Sequence, residues 1–200
     1  MNKTIGQVGA LLVSGSVLLF AVCMLVPFNF GSYFVCMLLA LGFVLMTAAF
    51  AQECPEERKA AALASVMFAA IYAVLILLVY FAQTTSVRLE ELSEQARQIL
   101  DYSRSGLYFN YDLLGYGMMA LATFFIGLTL RPAGRADRWL KGLLLGHGVF
   151  FLSCFLLPML GIFSADGDGY WMGVIVLEVW CVYFLPVGIL SFLHFRRSKD

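Results

Sequence analysis

Residues 60–83 read AAALASVMFAAIYAVLILLVYFAQ and contain no charged side chain. At 1.5 Å per residue, a helix of this length covers about 36 Å, and the hydrocarbon core of a bilayer is about 30 Å thick. The run begins directly after the charged pair Arg58-Lys59 and is followed by a polar stretch. These features predict a transmembrane helix.

Five further runs of this kind are present, and short polar or proline-containing stretches separate them. The chain is 62% hydrophobic and 13% charged, and its mean hydropathy is +0.87. A soluble domain is about 45–50% apolar and about 25% charged. The sequence therefore predicts one all-α integral membrane domain over residues 1–200. This polytopic bundle has six transmembrane helices, at 5–27, 32–52, 60–83, 113–130, 139–162 and 170–194.

Charge and motifs argue against several function classes. The formal net charge is +0, and no basic face or nucleic-acid-binding motif is present, so no nucleic-acid partner is predicted. Five cysteines without a CxxC pair and only two histidines argue against a zinc site. In the acidic turn that starts near Asp166, Leu177 stands where a calcium loop needs its last carboxylate. No catalytic residue, metal site or cofactor is predicted, and a disulfide between Cys23 and Cys36 is left open.

The distribution of Lys and Arg predicts the orientation in the membrane. If the N-terminus is cytoplasmic, ten of the thirteen basic residues face the cytoplasm, and only Arg88, Arg97 and Arg104 face outward. The N-terminal apolar run is too long for a signal-peptide core and no small-residue cleavage site follows it, so we expect a retained helix. The predicted location is the plasma membrane, as a multi-pass protein with cytoplasmic N and C termini.

The longest polar stretch, residues 86–103, carries apolar residues at helical spacing between its charges. We expect an extracytoplasmic amphipathic helix between helices three and four, with Ser86 as its N-terminal cap. This helix either links its neighbours or forms a lid over an outward-facing cavity. The linking role is the simpler interpretation.

Glu178 is the only carboxylic acid within the predicted sixth helix, about 12 Å from its outer boundary. An ionised acid at the centre of a transmembrane helix costs about 2.5–3.5 kcal/mol. We therefore expect Glu178 to face the bundle interior, where it is protonated, paired or beside a wet cavity.

His147 lies at a comparable depth in helix five, and the short loop between helices five and six makes these helices antiparallel neighbours. The two side chains are candidates for a ligand or proton site, and sequence alone leaves open whether they meet. In the alternative interpretation, buried polar groups at similar depth only fix the packing of the helices by hydrogen bonds. The candidate partners at that depth are Ser14, Ser16, Tyr72, Thr123 and Tyr183.

A second group of candidates lies in LYFNYDLLGYG, residues 107–117. Its tyrosines, among them Tyr116, are typical of an aromatic belt at a membrane interface. Asp112 is suited to capping the fourth helix. Belt and cap explain these residues more simply than ligand binding, which stays the alternative for Tyr116 and Asp112.

Small residues at every fourth position predict close helix contacts, because packing drives helix association in lipid. Such stripes occur in helix three (Ala61, Ser65, Ala69, Ala73), helix one (Gly6, Ala10, Ser14) and helix five (Gly142, Gly146). Pro158 and Pro186 are expected to kink helices five and six.

The stretches FAAIYAVLILLVYFAQTTSV (68–87), LLGYGMMALATFFIGLTL and RWLKGLLLGHGVF resemble small multi-pass proteins of Gram-positive bacteria, a family of unknown function. The resemblance covers helices three to five. It implies a bacterial plasma membrane and six helices, and it carries no activity and no site residues.

Together these patterns favour a protein that binds or transports a small or lipophilic molecule within the helix bundle, proton-linked through Glu178 and His147. Its partners would be the lipid bilayer, a small-molecule or lipid ligand, and a second copy or another membrane protein. The alternative is a non-catalytic structural or accessory membrane subunit. An intramembrane enzyme is a third hypothesis without a supporting motif.

Overall fold

A computed structural model describes residues 1–162 and 170–197, with side chains at 1–162 and 173–197. The acidic turn near Asp166 lies outside these residues. The helices are α1 (Asn2–Leu25), α2 (Asn29–Gln52), α3 (Lys59–Thr84), α4 (Ser86–Leu89), α5 (Glu94–Leu100), α6 (Leu107–Thr129), α7 (Arg135–His147), α8 (Phe150–Met159) and α9 (Tyr170–Arg197). Two 3₁₀ turns, Glu56–Arg58 and Tyr102–Arg104, connect them.

Within the described residues, six helical segments are long and apolar enough to cross a membrane, as the sequence predicts for a multi-pass protein. The third of them covers the quoted run 60–83 and extends through α4 as Glu56–Leu89. The fourth begins at Leu107, not at 113, because the aromatic residues before Asp112 are already helical. They are therefore part of the helix, and their role as an aromatic belt at the membrane interface stays a prediction.

The spanning segments form a closed ring. Helix α1 packs against α2 and α9, α3 packs against α2 and α6, and α6 packs against α7 and α8. Contacts between α7 and α9 complete the ring. Gly6 lies against Phe195, so both ends of the chain meet at one end of the bundle, which we call the terminal end. The opposite end, where α4 and α5 lie, is the far end.

The predicted fifth helix is interrupted between α7 and α8. At the break, the N–H of Gly148 donates to the carbonyl of Leu145 (3.2 Å), and Val149 donates to Gly146 (3.1 Å), which are contacts of a tighter 3₁₀ turn. Gly148 fits there because a Cβ would lie 2.9 Å from the Phe124 side chain. The segment predicted at 139–162 is therefore confirmed as one span of suitable length and hydropathy, Arg135–Met159, and this tighter turn divides it. The break lies at the glycines, well before Pro158.

The predicted amphipathic helix over 86–103 is wrong as a single element. The chain is helical in α4, turns extended at Glu90, and becomes helical again in α5. The Ser93 hydroxyl accepts a hydrogen bond from Ala96 N–H (3.3 Å) and caps α5, whereas Ser86 makes no capping bond. The adjacent acids Glu90 and Glu91 follow α4 and lie at the negative end of its helix dipole, which disfavours a longer helix. Ser93 then caps the start of the next helix, α5.

Packing by small residues is confirmed in α1 and α3. Ser65, Ala69 and Ala73 are buried on α3. Gly188 of α9 lies against Ser14 of α1. By contrast, Gly142 of α7 has open space beside it, so the predicted stripe in helix five does not form a contact there.

Candidate functional site

Asp112 is almost completely buried in the bundle, with 2% of its surface exposed. The N-terminal cap of α6 is Gly106, so the prediction that Asp112 caps the helix is wrong. Helix α6 starts five positions earlier than Asp112, and this carries the carboxyl group past the helix end into the interior. Its Oδ1 atom has no hydrogen-bond partner among the described residues.

Phenol groups surround this carboxyl group. The hydroxyls of Tyr80 and Tyr102 approach it as hydrogen-bond donors. Tyr33 stacks on Tyr80 with ring centroids 5.3 Å apart and meets the edge of Tyr102 at 6.1 Å. Tyr102 belongs to the connecting 3₁₀ turn, and burial holds its pKa well above the usual value, so it remains a donor.

Gln83 fixes the turn over this group of residues. Its side-chain amide donates to the carbonyl of Leu100 (2.7 Å), and its Oε1 accepts from the N–H of Tyr102 (3.0 Å). Both bonds cross from α3 to the connecting segment. The segment between α3 and α6 is thereby held against the buried carboxyl group of Asp112.

Tyr116 and Tyr72 lie on the side of these residues that faces the middle of the bundle. Together with Asp112 and its neighbours they form a column of polar side chains, which we call the column. The Tyr116 hydroxyl lies 3.6 Å from Sγ of Cys36, and its ring is 5.7 Å from that of Tyr72. Tyr72 is fully buried, and its hydroxyl has no hydrogen-bond partner within the described part of the chain. We call Asp112, Tyr33, Tyr80, Tyr102 and Cys36 the Asp112 cluster; Tyr116 and Tyr72 adjoin it. Cys36 and Cys23 are both free thiols.

His147 is joined to Tyr116 through Trp180, whose ring lies 5.5 Å from that of Tyr116, and both ring nitrogens of His147 are occupied. Trp180 Nε1–H donates to His147 Nε2 (3.0 Å). Thr123 Oγ1 lies 2.8 Å from His147 Nδ1 and itself donates to the carbonyl of Ala120 (2.8 Å). Since the hydroxyl proton is used there, Nδ1 carries the proton of a neutral imidazole and donates to Thr123. The network joins α6, α7 and α9.

Glu178 lies outside the column, whereas the ring of Tyr183 stacks on that of His147 at 6.0 Å. Tyr183 donates from its hydroxyl to the carbonyl of Leu143 (2.7 Å), and the hydroxyl fits because Gly146 has no Cβ in its way. Glu178 does not hydrogen-bond to His147, whose nitrogens are taken. Glu178 is half-buried on a flank of α9 and its Oε1 is covered without a hydrogen-bond partner among residues 1–162 and 173–197.

We expect Glu178→Leu to be at least as stable as the wild type, by up to about 1–3 kcal/mol, because it removes a covered polar atom that has no partner. Glu178→Gln keeps the shape and the polarity and serves as the matched control. The measurement is thermal unfolding in detergent between pH 5 and 8. A loss of more than about 1 kcal/mol in the leucine variant alone would show that the carboxyl group has an interior partner.

His194, at the terminal end of α9, was not identified from the sequence. Its Nδ1 lies 3.1 Å from Asp137 Oδ1 of α7, and its Nε2 lies 3.0 Å from Glu53 Oε2, directly after α2. Two carboxylate oxygens can only accept, so both ring nitrogens donate and the ring is an imidazolium. The signal in the sequence was weak, because Glu53, Asp137 and His194 lie far apart along the chain and near helix ends, where polar residues are common.

The protonated His194 ring thus links Asp137 and Glu53 and joins the ends of three helices. This arrangement predicts that the stability of the protein depends on pH. The two bonds need the protonated ring, so their stabilisation is present at low pH and is lost as pH rises. Hydrogen bonds to charged groups contribute about 1.5–3 kcal/mol. We expect the wild type to lose this increment between pH 5 and 9, measured by thermal unfolding, and His194→Gln to lack it. A parallel pH curve for both proteins would contradict the prediction.

Two recesses open beside these groups. A recess of about 800 Å³ at the terminal end is lined by Glu53, Asp137, His194, Arg131 and Arg197, among others. A smaller one of about 250 Å³ at the far end is lined by residues next to the Asp112 cluster, including Tyr33. Among residues 1–162 and 173–197, no group of three or more His, Cys, Asp and Glu side chains is placed to hold a metal ion.

Of the six candidates from the sequence, the structure thus brings Asp112, Tyr116 and Tyr72 into one column, which continues through Trp180 to His147 and Tyr183, and it leaves Glu178 outside. The column offers one buried carboxyl group, several phenol donors and aromatic ring faces. These groups can bind a small polar or charged molecule and can hold a proton. No family model, curated protein or solved structure matches this chain.

Proposed function

We propose that this chain is a multi-pass membrane protein that binds, and moves across the membrane, a small molecule at the Asp112 cluster. The observation that carries the proposal is that two of the five buried side-chain polar atoms without partners among the described residues, Asp112 Oδ1 and the Tyr72 hydroxyl, lie near this cluster. A buried polar group left unpaired costs about 1–3 kcal/mol. Two of them near one aromatic cluster are accounted for if a bound molecule supplies the missing hydrogen bonds.

The proton-linked version of this function shifts from Glu178 and His147 to Asp112. The nitrogens of His147 are committed to Thr123 and Trp180, and Glu178 lies on the flank. Asp112 is the acid that lies inside the bundle with an open acceptor and phenol donors beside it. An acid in such a place is the usual position of a functional carboxyl group in a membrane protein.

Access to the cluster can be tested without knowing the molecule. Cys36 is fully buried, belongs to the cluster and contacts Tyr116, and Cys181 is a buried thiol on α9 outside it. In variants that keep only one of these cysteines, the folded protein in detergent is treated with the small neutral reagent methyl methanethiosulfonate. We expect Cys36 to be modified at least about tenfold faster than Cys181, as measured by mass spectrometry. Equal, slow rates would mean that the cluster is closed, and the proposal would fail.

The second candidate is an accessory subunit whose buried polar groups only hold the helices together. The satisfied network at His147 favours it, because this network joins three helices and leaves no free acceptor on the ring. Slow modification of Cys36 is the outcome that this candidate requires.

We also propose a bacterial plasma membrane as the location, with both termini in the cytoplasm, on the basis of the basic residues counted above. Single cysteines at the exposed positions Gln95 and Gly134, in a cysteine-free background, would label from opposite sides of intact cells. The expected result is labelling of Gln95→Cys by an impermeant reagent from outside and of Gly134→Cys only after lysis. The reverse pattern would overturn the orientation.

A further inference from the structure

The loop that joins α2 to α3, residues 53–58, borders the terminal-end recess. Glu53 of this loop lines the recess together with His194 of α9. Helices α2 and α9 both pack against α1 and do not pack along each other. At this end α2 reaches α9 through side chains, with the Phe50 ring 4.5 Å from the Phe195 ring and Glu53 bonded to His194. The position of the loop against α9 therefore depends on a few side-chain contacts.

The two ends of this loop are held in different ways. At the α3 end, the guanidinium of Arg58 donates to the backbone carbonyl of Leu128 (2.9 Å). At the α2 end, Oε2 of Glu53 lies 3.0 Å from Nε2 of His194. An imidazole nitrogen changes from donor to acceptor when it loses its proton, whereas a backbone carbonyl stays an acceptor. Loss of a proton from the ring thus affects the α2 end of the loop and not the α3 end.

The two carboxylates bonded to the His194 ring are not equivalent. The Asp137 side chain is 12% exposed, and its Oδ2 also accepts from the N–H of Ala133 (3.0 Å). The Glu53 side chain is 24% exposed, and its bond to the ring is the one hydrogen bond that it makes within the described part of the chain. A neutral imidazole keeps a single donor. That donor stays with Asp137, because leaving the more buried carboxylate unpaired costs more.

No further acid near the ring takes over the role of these two carboxylates in the described ranges. The other titratable or charged groups on the surrounding elements are the amino terminus and Lys3 of α1, Cys54, Glu56, Glu57 and Arg58 of the loop, Arg131 after α6, Arg135, Arg138 and Lys141 of α7, and Arg196 and Arg197 of α9. The two acids in this set are in ion pairs with basic residues. Glu53 and Asp137 are thus the groups that hold the second ring proton.

We propose that residues 53–58 form a proton-operated strap beside the terminal-end recess. With the ring protonated, Glu53 ties the strap to α9. When the proton leaves to solvent, two acceptors face each other at Nε2 and Glu53, so this bond opens and the strap moves away from α9. Helix α7 stays joined to α9 through Asp137. The recess of about 800 Å³ lies within the range of about 300–1,000 Å³ for small-molecule sites, and the strap controls entry from this end.

The thiol of Cys54 reports the position of the strap, because it follows Glu53 and lines the recess. The full chain with its native cysteines, in detergent, is treated with methyl methanethiosulfonate at pH 5.5 and pH 8.5, and modification of Cys54 is followed by mass spectrometry. Each rate is divided by that of N-acetylcysteine at the same pH, which removes the ordinary titration of a thiol. We expect the divided rate to be at least about fivefold higher at pH 8.5, because the loop then opens without breaking a charged hydrogen bond.

Glu53→Asp tests the contact itself. It keeps the charge beside Cys54 but shortens the side chain by one methylene, so the carboxylate no longer reaches the ring. Relative to the wild type, Cys54 should react at least about fivefold faster at pH 5.5 and equally fast at pH 8.5. Glu57→Asp is the matched control, because it shortens an acid of the same loop that pairs with Arg131 and not with His194. It should keep the pH dependence of the wild type.

Two further readouts keep the test decisive. Cys181 is a buried thiol of the same protein, and its divided rate should not change with pH, which excludes a general loosening of the bundle. If Glu53→Asp does not fold, His194→Gln replaces it and should show the same divided rate for Cys54 at both pH values. The proposal is overturned if the divided rate of Cys54 in the wild type is the same at both pH values, or if Glu53→Asp raises it equally at both. This result does not depend on whether Cys36 in the Asp112 cluster is accessible, so the strap and the function proposed above can fail separately.

Discussion

Gly9→Ala is expected to destabilise the protein by about 3 kcal/mol or more. A Cβ at this position would lie 2.5 Å from the backbone nitrogen of Met46 and 2.8 Å from the carbonyl oxygen of Gly42. These atoms belong to the backbone of α2 and cannot move aside as a flexible side chain can. Overpacking a core typically costs about 1–3 kcal/mol, and here α1 and α2 would have to separate along their interface.

Gly15→Ala is the matched control on the same helix. No atom lies within 4 Å of a Cβ at Gly15. Since alanine is favoured over glycine within a helix by about 1 kcal/mol, this variant should be as stable as the wild type or more so. The unfolding temperatures of the two variants in detergent are compared. If they agree, α1 and α2 are not held together at Gly9 and Gly42.

The number and type of the long helices could be predicted from the sequence because the hydrocarbon of a bilayer is a nearly uniform solvent. A run such as 60–83 has few alternatives in lipid, where every backbone polar group must be paired inside its own helix. Six such runs therefore give six helical segments, among the described residues, that are long and apolar enough to cross a membrane. Where they end depends on local capping, and this explains why α6 begins at Leu107 although the apolar run of the sequence begins only at 113.

The interruption after α7 was not predictable from hydropathy. Gly146 and Gly148 flank His147, and glycines at these positions leave space for close packing. Packing is indeed their role: the glycines admit the Tyr183 hydroxyl and the Phe124 side chain. The 3₁₀ turn follows from these contacts with other helices, and such contacts are not visible in the local sequence.

The candidate site was predictable by residue type but not by assignment of roles. Asp112 was interpreted as a cap and Tyr116 as a belt residue, because both lie near the start of a predicted helix. The earlier start of α6 moves both into the bundle. Glu178 is an acid in an apolar run, and this favours an interior position for it. In the structure, however, the face of α9 that carries Glu178 does not contact the column. Whether such a residue faces the interior depends on how its helix is rotated about its axis relative to the neighbouring helices. Tertiary packing sets that rotation.

His147→Ala is expected to cost about 3–5 kcal/mol. The substitution leaves a cavity at a site with 1% exposure, and it leaves the Trp180 N–H without its acceptor. Thr123→Val should cost less, about 1–3 kcal/mol, since it unpairs only the Nδ1–H of the ring. Trp139→Phe, at an exposed tryptophan on α7, is the control and should be close to neutral.

A double-mutant cycle of His147→Ala and Thr123→Val, measured by unfolding in detergent, shows whether the His147 ring holds the helices together by hydrogen bonds or takes part in proton transfer. If the bond in the structure is the reason for the histidine, Thr123→Val should cost about 1 kcal/mol less in the His147→Ala background, because its partner is already gone. The cost of His147→Ala should also be the same at pH 5 and pH 8, since Nε2 accepts from Trp180 and only the neutral ring can do so. Additive losses, or a cost that changes with pH, would return His147 to the candidates for proton transfer and weaken the assignment of that role to Asp112.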